Sequence, residues 1–253
     1  MLVIAATAFE LEPLRALLSA TASLDAAWGT VARGRIGRLE VALAVTGIGK
    51  VNAAAGLLGS VLATSPRAVV QVGVGGAYLG SFMPNRTVAA AREELQLDLG
   101  LRGADDRWMG MEALGFPVTP AREGRPERFN LIPTHPGLCA ALHEIVGLPL
   151  ARFATLDAVT ADVDMGAELQ REHDVAIESM EGAAAAQVAD RLGLPFAEVR
   201  GVSNLVGERD KSAWDLRGAV LASCRATRAL LSGWEEHPAT RAIAGSVVPN
   251  LRW

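Results

Sequence analysis

Short apolar runs that end in glycine or a small polar turn, and pass at once into helical spacing, recur through the first third of this chain and narrow its fold more than any other feature. Leu2 to Ala6 has the length and unbroken apolar character of a buried strand, and Glu10 to Leu18 follows with helical spacing. Val41 to Val45 repeats the pattern. It ends in Thr46-Gly47-Ile48-Gly49-Lys50, after which Val51 to Leu62 reads as an Ala- and Leu-rich helix. Ala68 to Val72 is a third strand, closed by Gly73-Val74-Gly75-Gly76. Units of strand, turn and helix bury one face of each element on the next layer. The predicted architecture is α/β: a three-layer α/β/α sandwich around a central mixed, twisted sheet.

Further along, charges, glycines and prolines dominate from Arg92 to His135, among them Pro117, Pro120, Pro126 and Pro133. This stretch reads as long connections with a short element or two, of the kind that often cover a site. Strands return near Arg152 to Leu156 and at Val175 to Glu178. A helix follows over Met180 to Leu192, then a strand over Phe196 to Val202 and a long helix over about Ala213 to Leu231. Ser232 to Trp253 is a weakly patterned tail. With no internal repeat, 253 residues suit one domain spanning 1–253.

Half of the residues are hydrophobic, which excludes disordered and fibrous classes. The formal charge of −4 is spread along the chain without a long basic run, so nucleic acid is not an expected partner. Cys139 and Cys224 lie far apart, as buried free thiols do, and suit a reducing compartment. The opening MLVIAATA lacks the basic region and cleavage site of a signal peptide. No apolar run reaches membrane-spanning length. The expectation is a cytoplasmic protein with no membrane partner.

The glycine clusters do not make a dinucleotide fingerprint. After Gly73 and Gly75 the third position is Tyr78, and after Gly47 and Gly49 it is Asn52. Gly73 to Gly76 therefore have two readings: tight turns needing positive φ, or close backbone approach to a ligand. No phosphate-cradling glycine-lysine loop or zinc-binding HExxH helix is present, and His135, His143, His173 and His237 stand in unrelated contexts. Ser203 has Gly201 before it but Leu205 after it, so it is no nucleophile elbow. Neither metal nor organic cofactor is expected.

Three stretches carry candidate chemistry. Glu10 sits where the first strand turns into its helix, either complementing the helix dipole or serving a site. Glu178-Ser179-Met180-Glu181-Gly182-Ala183-Ala184-Ala185-Ala186 passes from strand to helix, with Ser179 a plausible cap and Glu181 in the first turn. A carboxylate held there can accept strong hydrogen bonds from two vicinal hydroxyls. Val199 to Asp210 ends a strand in a polar cluster with Ser203, Asn204 and Arg209 that either turns or binds.

Taken in order, AATAFE, TGIGKVNAA, VGVGGA, ESMEGAAAA and RGVSNLVGERD resemble the nucleoside phosphorylase and nucleosidase superfamily, most closely its futalosine hydrolase family. The resemblance implies cleavage of a purine nucleoside at its N-glycosidic bond. Glu10 then activates water, Met180 packs on the sugar, and Glu181 holds the ribose 2′- and 3′-hydroxyls. The purine lies against backbone at Val159 and Thr160, and Gly73 approaches the substrate closely. Adenine-releasing relatives place an aspartate at N7 of the base, where this chain has Asn204. An asparagine is no general acid, but its amide donates to N7 or to a 6-oxygen, which implies a 6-oxopurine. Futalosine, cleaved to hypoxanthine and dehypoxanthine futalosine in menaquinone biosynthesis, is the implied substrate. Ser203 belongs to the base loop. Arg209 is the candidate cation for the 5′ carboxylate, with an Asp210 salt bridge as its alternative. Phosphorolysis needs an anion site; the approach to Gly73 has no Arg, and only Arg15 and Arg33 keep that reaction open. The superfamily also implies a homo-oligomer, a dimer in the first instance.

Overall fold

A computed structural model describes residues 1–104, 108–122 and 124–245; the last part of the predicted tail, 246–253, lies outside them. In chain order its elements are β1 (Leu2–Ala5), α1 (Ala8–Arg15), β2 (Ser19–Ala26), β3 (Gly29–Ile36), β4 (Leu39–Val45), α2 (Lys50–Thr64) and β5 (Val69–Ala77). Next come β6 (Val88–Gln96), β7 (Leu101–Arg102), β8 (Trp108–Met109), α3 (Met111–Leu114), β9 (Leu131–Pro133), α4 (Pro136–Val146) and β10 (Leu150–Thr155). The remainder is α5 (Val163–His173), β11 (Ile177–Ser179), α6 (Gly182–Leu192), β12 (Phe196–Leu205), α7 (Leu216–Ser232) and α8 (Pro238–Gly245).

Ten strands form one mixed sheet in the order β11-β10-β6-β12-β5-β1-β4-β3-β2, with β9 on β6. The apolar runs lie at its centre because parallel strands there are covered on both faces. β1 runs parallel to both β4 and β5, and β5 parallel to β12. Helices α1, α4 and α7 cover one face over Val3, Leu14, Val70 and Leu230; α2 and α6 cover the other over Ile4, Leu57 and Ala185. The layered α/β prediction is the observed architecture. β11 also pairs antiparallel with β5, at Ile177–Ala77 and Glu178–Gly76, so that β11, β10, β6, β12 and β5 close into a ring.

Three local readings change. Gly73 to Gly76 do not close a strand: β5 runs through them to Ala77, and none has positive φ, whereas Gly47 (φ +100°) and Gly49 (φ +88°) do. The α6 cap is Glu181 itself, while Ser179 ends β11. β12 continues past Val202 to Leu205 with a register shift, Val202 opposite Gly75 and Asn204 opposite Gly76, which leaves Ser203 bulged between them. Among the described residues, no helix is long and apolar enough to cross a membrane.

Candidate active site

A cavity of about 380 Å³ opens between the segment after β1, the glycines of β5, the turn from β11 into α6 and the end of β12. Glu10, Met180, Glu181, Val159, Thr160, Ser203, Asn204 and Arg209 all line it, from stretches remote in sequence. Gly73 does not. It stands one residue behind Val74 on the wall, so it acts by leaving space and not by touching what enters.

Glu10 is placed by its helix. Thr7 caps α1 and Glu10 is its third residue, a reciprocal capping box. Its Oε2 accepts from Thr7 N (3.0 Å) and Thr7 Oγ1 (2.9 Å), and its Oε1 from Val74 N (3.1 Å). The carboxylate is 5% exposed and tied across to β5. The dipole reading of Glu10 is thus true locally, and the side chain also reaches the cavity. On α7 behind it, Cys224 donates to Glu10 O, and burial, then the Glu10 charge, pushes its thiol up to about 12.

Glu181 sits at the N-terminus of α6, where the dipole favours an anion. Its Oε1 accepts from Gly49 N (3.1 Å), which the positive φ of Gly49 turns toward it, and its Oε2 from Arg200 Nη2 (3.2 Å). A carboxylate has about four lone-pair sites, so room remains for two hydroxyls.

Arg200 pairs with Glu181 and shares the Val74 backbone with Glu10, and it was not singled out from sequence. It is 1% exposed, donating through Nε to Glu198 Oε1 (2.6 Å), through Nη1 to Val74 O (2.9 Å) and through Nη2 to Glu181. Burial alone would lower its pKa, but the charges of Glu198, Glu181 and Glu10 outweigh burial and raise it. The signal was present: Glu198 and Arg200 are two residues apart in an apolar strand, which puts opposite charges on one face.

Two further networks meet at the cavity. Ser203 Oγ lies 2.7 Å from Asn204 Oδ1, to which its one hydrogen is donated, and 3.2 Å from Gly75 O. Asn204 Nδ2 gives one hydrogen to Leu205 O (2.8 Å), leaving a second for a ligand. Opposite, Glu178 accepts from Thr160 N (2.9 Å), Thr160 Oγ1 (2.7 Å) and Tyr78 Oη (2.9 Å), fixing the backbone at Val159 and Thr160. Burial, then the Glu178 charge, raises the pKa of Tyr78, which remains a donor. Arg209 lies over the Trp214 ring, 5.7 Å from its centroid, while Asp210 accepts from Ser212 N and Oγ.

The cations that kept phosphorolysis open lie elsewhere. Arg33 lines a separate cavity of about 620 Å³ with Arg35 and Arg38, and Arg15 a small one beside Ala8 and Leu11. Among the described residues, no His, Cys, Asp and Glu cluster is arranged to hold a metal.

Comparison with known proteins defines the family. The profile of the phosphorylase superfamily matches residues 1–232. A futalosine hydrolase of Thermus thermophilus is 38% identical over 187 residues, covering 74% of this chain and 79% of that one. The chain belongs to the phosphorylase superfamily and, within it, to the futalosine hydrolase family. In fold it is similar to the native futalosine hydrolase of Helicobacter pylori strain 26695 (TM-score 0.78, 20% identity, 91% of this chain and 96% of that one). It is equally similar to a 5′-methylthioadenosine/S-adenosylhomocysteine nucleosidase of Neisseria meningitidis in complex with methylthio-immucillin-A (TM-score 0.78, 22% identity, 92% and 98%).

Proposed function

We propose that this protein is an N-glycosyl hydrolase that cleaves futalosine, a 6-oxopurine nucleoside, to hypoxanthine and dehypoxanthine futalosine, a step in menaquinone biosynthesis. The observation that carries the reading is that Glu10, tied to Val74 N, and Glu181, paired with the buried Arg200, reach one cavity, with the neutral amide of Asn204 on the same cavity. The C1′–N9 bond breaks with its electron pair leaving on the base, and an oxocarbenium-like sugar develops. Glu181 stabilises that sugar by charge and by accepting from its 2′- and 3′-hydroxyls. Water adds to C1′ as Glu10 takes its proton. The second hydrogen of Asn204 Nδ2 forms a hydrogen bond to N7 or the 6-oxygen of the departing hypoxanthine anion, which gains a proton from solvent as Glu10 gives its own back. Met180 packs on the sugar, Ser203 orients Asn204, and the base lies along Val159 and Thr160.

Water is favoured over phosphate because each nitrogen of Arg200 already donates one hydrogen, to Glu198, Val74 O and Glu181, and Arg15 and Arg33 line other cavities. The stacked Arg209–Trp214 pair meets an aromatic carboxylate at the 5′ end. The same reading includes a cytoplasmic location, supported by two buried free thiols, and a homodimer, supported by exposed Phe9 and Ile48 at the cavity. The test is incubation with futalosine, inosine and methylthioadenosine, with and without phosphate. Hypoxanthine release from futalosine that is independent of phosphate is expected. Adenine as the main product, or strict phosphate dependence, sinks the assignment.

A further inference from the structure

Behind Arg200, away from the cavity, two glutamates face each other with 0% exposure: Glu94 on β6 and Glu198 on β12. One oxygen of each is satisfied. Thr155 Oγ1 donates to Glu94 Oε2 (2.7 Å), and Arg200 Nε donates to Glu198 Oε1 (2.6 Å). The other two, Glu94 Oε1 and Glu198 Oε2, find no donor among the described residues. Both crowd the same point, since a Cβ on Gly182 would overlap Glu94 Oε1 and Glu198 Oε2 at once. Two ionised carboxylates in such a place would be left unsatisfied and mutually repelling in a low dielectric.

We propose that Glu94 and Glu198 hold one proton between them and act together as the positioning element of Arg200. The proton turns two orphaned acceptors into one O–H···O⁻ hydrogen bond, a short and strong type. Burial, then the neighbouring Glu198 charge and hydrogen bond, pushes the Glu94 carboxyl well above the usual carboxylate range, against the lowering effect of Thr155 and Arg200. Glu94 is therefore the resting place of the proton, and Glu198 carries the charge that fixes Arg200 Nε. The pair presents a single negative charge to the guanidinium. With both acids neutral, Arg200 would have only Glu181 and Glu10 as counterions and would draw on the field those two offer the substrate. With one proton, Arg200 is anchored from behind, and its Nη1 and Nη2 are held against Val74 O and Glu181.

The positioning role rests on the proposed reaction; the shared proton does not. Infrared difference spectra of the whole protein at neutral pH, without substrate, read the proton directly. Wild type is expected to show the carbonyl band of a neutral carboxylic acid that both Glu94→Gln and Glu198→Gln abolish, because each leaves one carboxylate beside an amide donor. A wild type without that band, or a band that survives in Glu94→Gln, overturns the proposal. The role is read from kcat for base release. Each single variant is expected to lose less than about tenfold and the double variant about 100-fold, the scale of a misplaced reacting group, with circular dichroism unchanged. A double variant as fast as wild type overturns the positioning role. If the double variant does not fold, the bands of the single variants still decide the shared proton.

Discussion

Gly73 turns a bare Cα toward Glu10, and a Cβ on it would stand 2.7 Å from Glu10 Oε1 and 2.6 Å from Arg200 Nη1. The glycine makes room for both the carboxylate and the guanidinium. Gly73→Ala is therefore expected to fold, since the backbone there is ordinary strand, and to lose about 100-fold in kcat as Glu10 is displaced. Steady-state base release checks this; an alanine variant with wild-type kcat would show that the contact does not matter.

Replacing Glu10 with Gln keeps the shape of the side chain and removes its capacity to take a proton. Turnover should fall by at least about 100-fold while binding of a non-hydrolysable analogue, measured by calorimetry, stays within a few-fold. If turnover survives, another group is the base.

Asn204→Asp replaces an amide donor with a carboxyl at the base. The ratio of kcat/KM for inosine over adenosine should drop by at least about tenfold, because the new group no longer matches a 6-oxygen. Competition assays resolving hypoxanthine from adenine measure it. An unchanged ratio would remove Asn204 from base selection.

Arg209→Ala is expected to raise KM for a nucleoside with an anionic aromatic 5′ substituent by about tenfold, leaving inosine unaffected. Trp214→Ala should act in the same direction through the lost ring. Equal effects on both substrates would place the pair outside the 5′ end.

The Glu94 carboxyl also sets a pH dependence of stability. Its folded value is raised, so the native protein keeps a proton that the unfolded chain has already released. Stability is fully present below the ordinary carboxylate range and is lost as pH climbs toward the raised value, by up to about 1.4 kcal/mol per pH unit. Glu94→Gln needs no proton, so in urea titrations its stability relative to wild type should rise between pH 5 and pH 8. A constant difference across that range would contradict the buried acid.

The central strands, α2, α6 and α7 were legible because continuous burial leaves continuous apolar runs. β2 and β3 were not. β2 is largely exposed at the sheet edge, and its mixed Ser, Ala and Thr residues carry no pattern. α5 was hidden for a similar reason, with Gly166 its only buried residue. At the site, Glu10, Glu181 and Asn204 stood out through motif resemblance, and the cavity brings them together. Arg200, Glu198 and Glu94 did not, because a charge inside an apolar strand says nothing of its partner until the sheet order is known. Glu94 lay in the stretch set aside as connections, although it belongs to β6.

The pairing of Glu178 with Gly76 has a mechanical consequence. It welds the strand that leads into Met180 and Glu181 to the strand that passes beneath Asn204, so the proposed sugar and base contacts ride on one hoop of backbone. Neither half can hinge away from the other without breaking that hoop. Access to the cavity must then be managed by the rim, at Val159 and Arg209, where the side chains are exposed and the sheet exerts no hold.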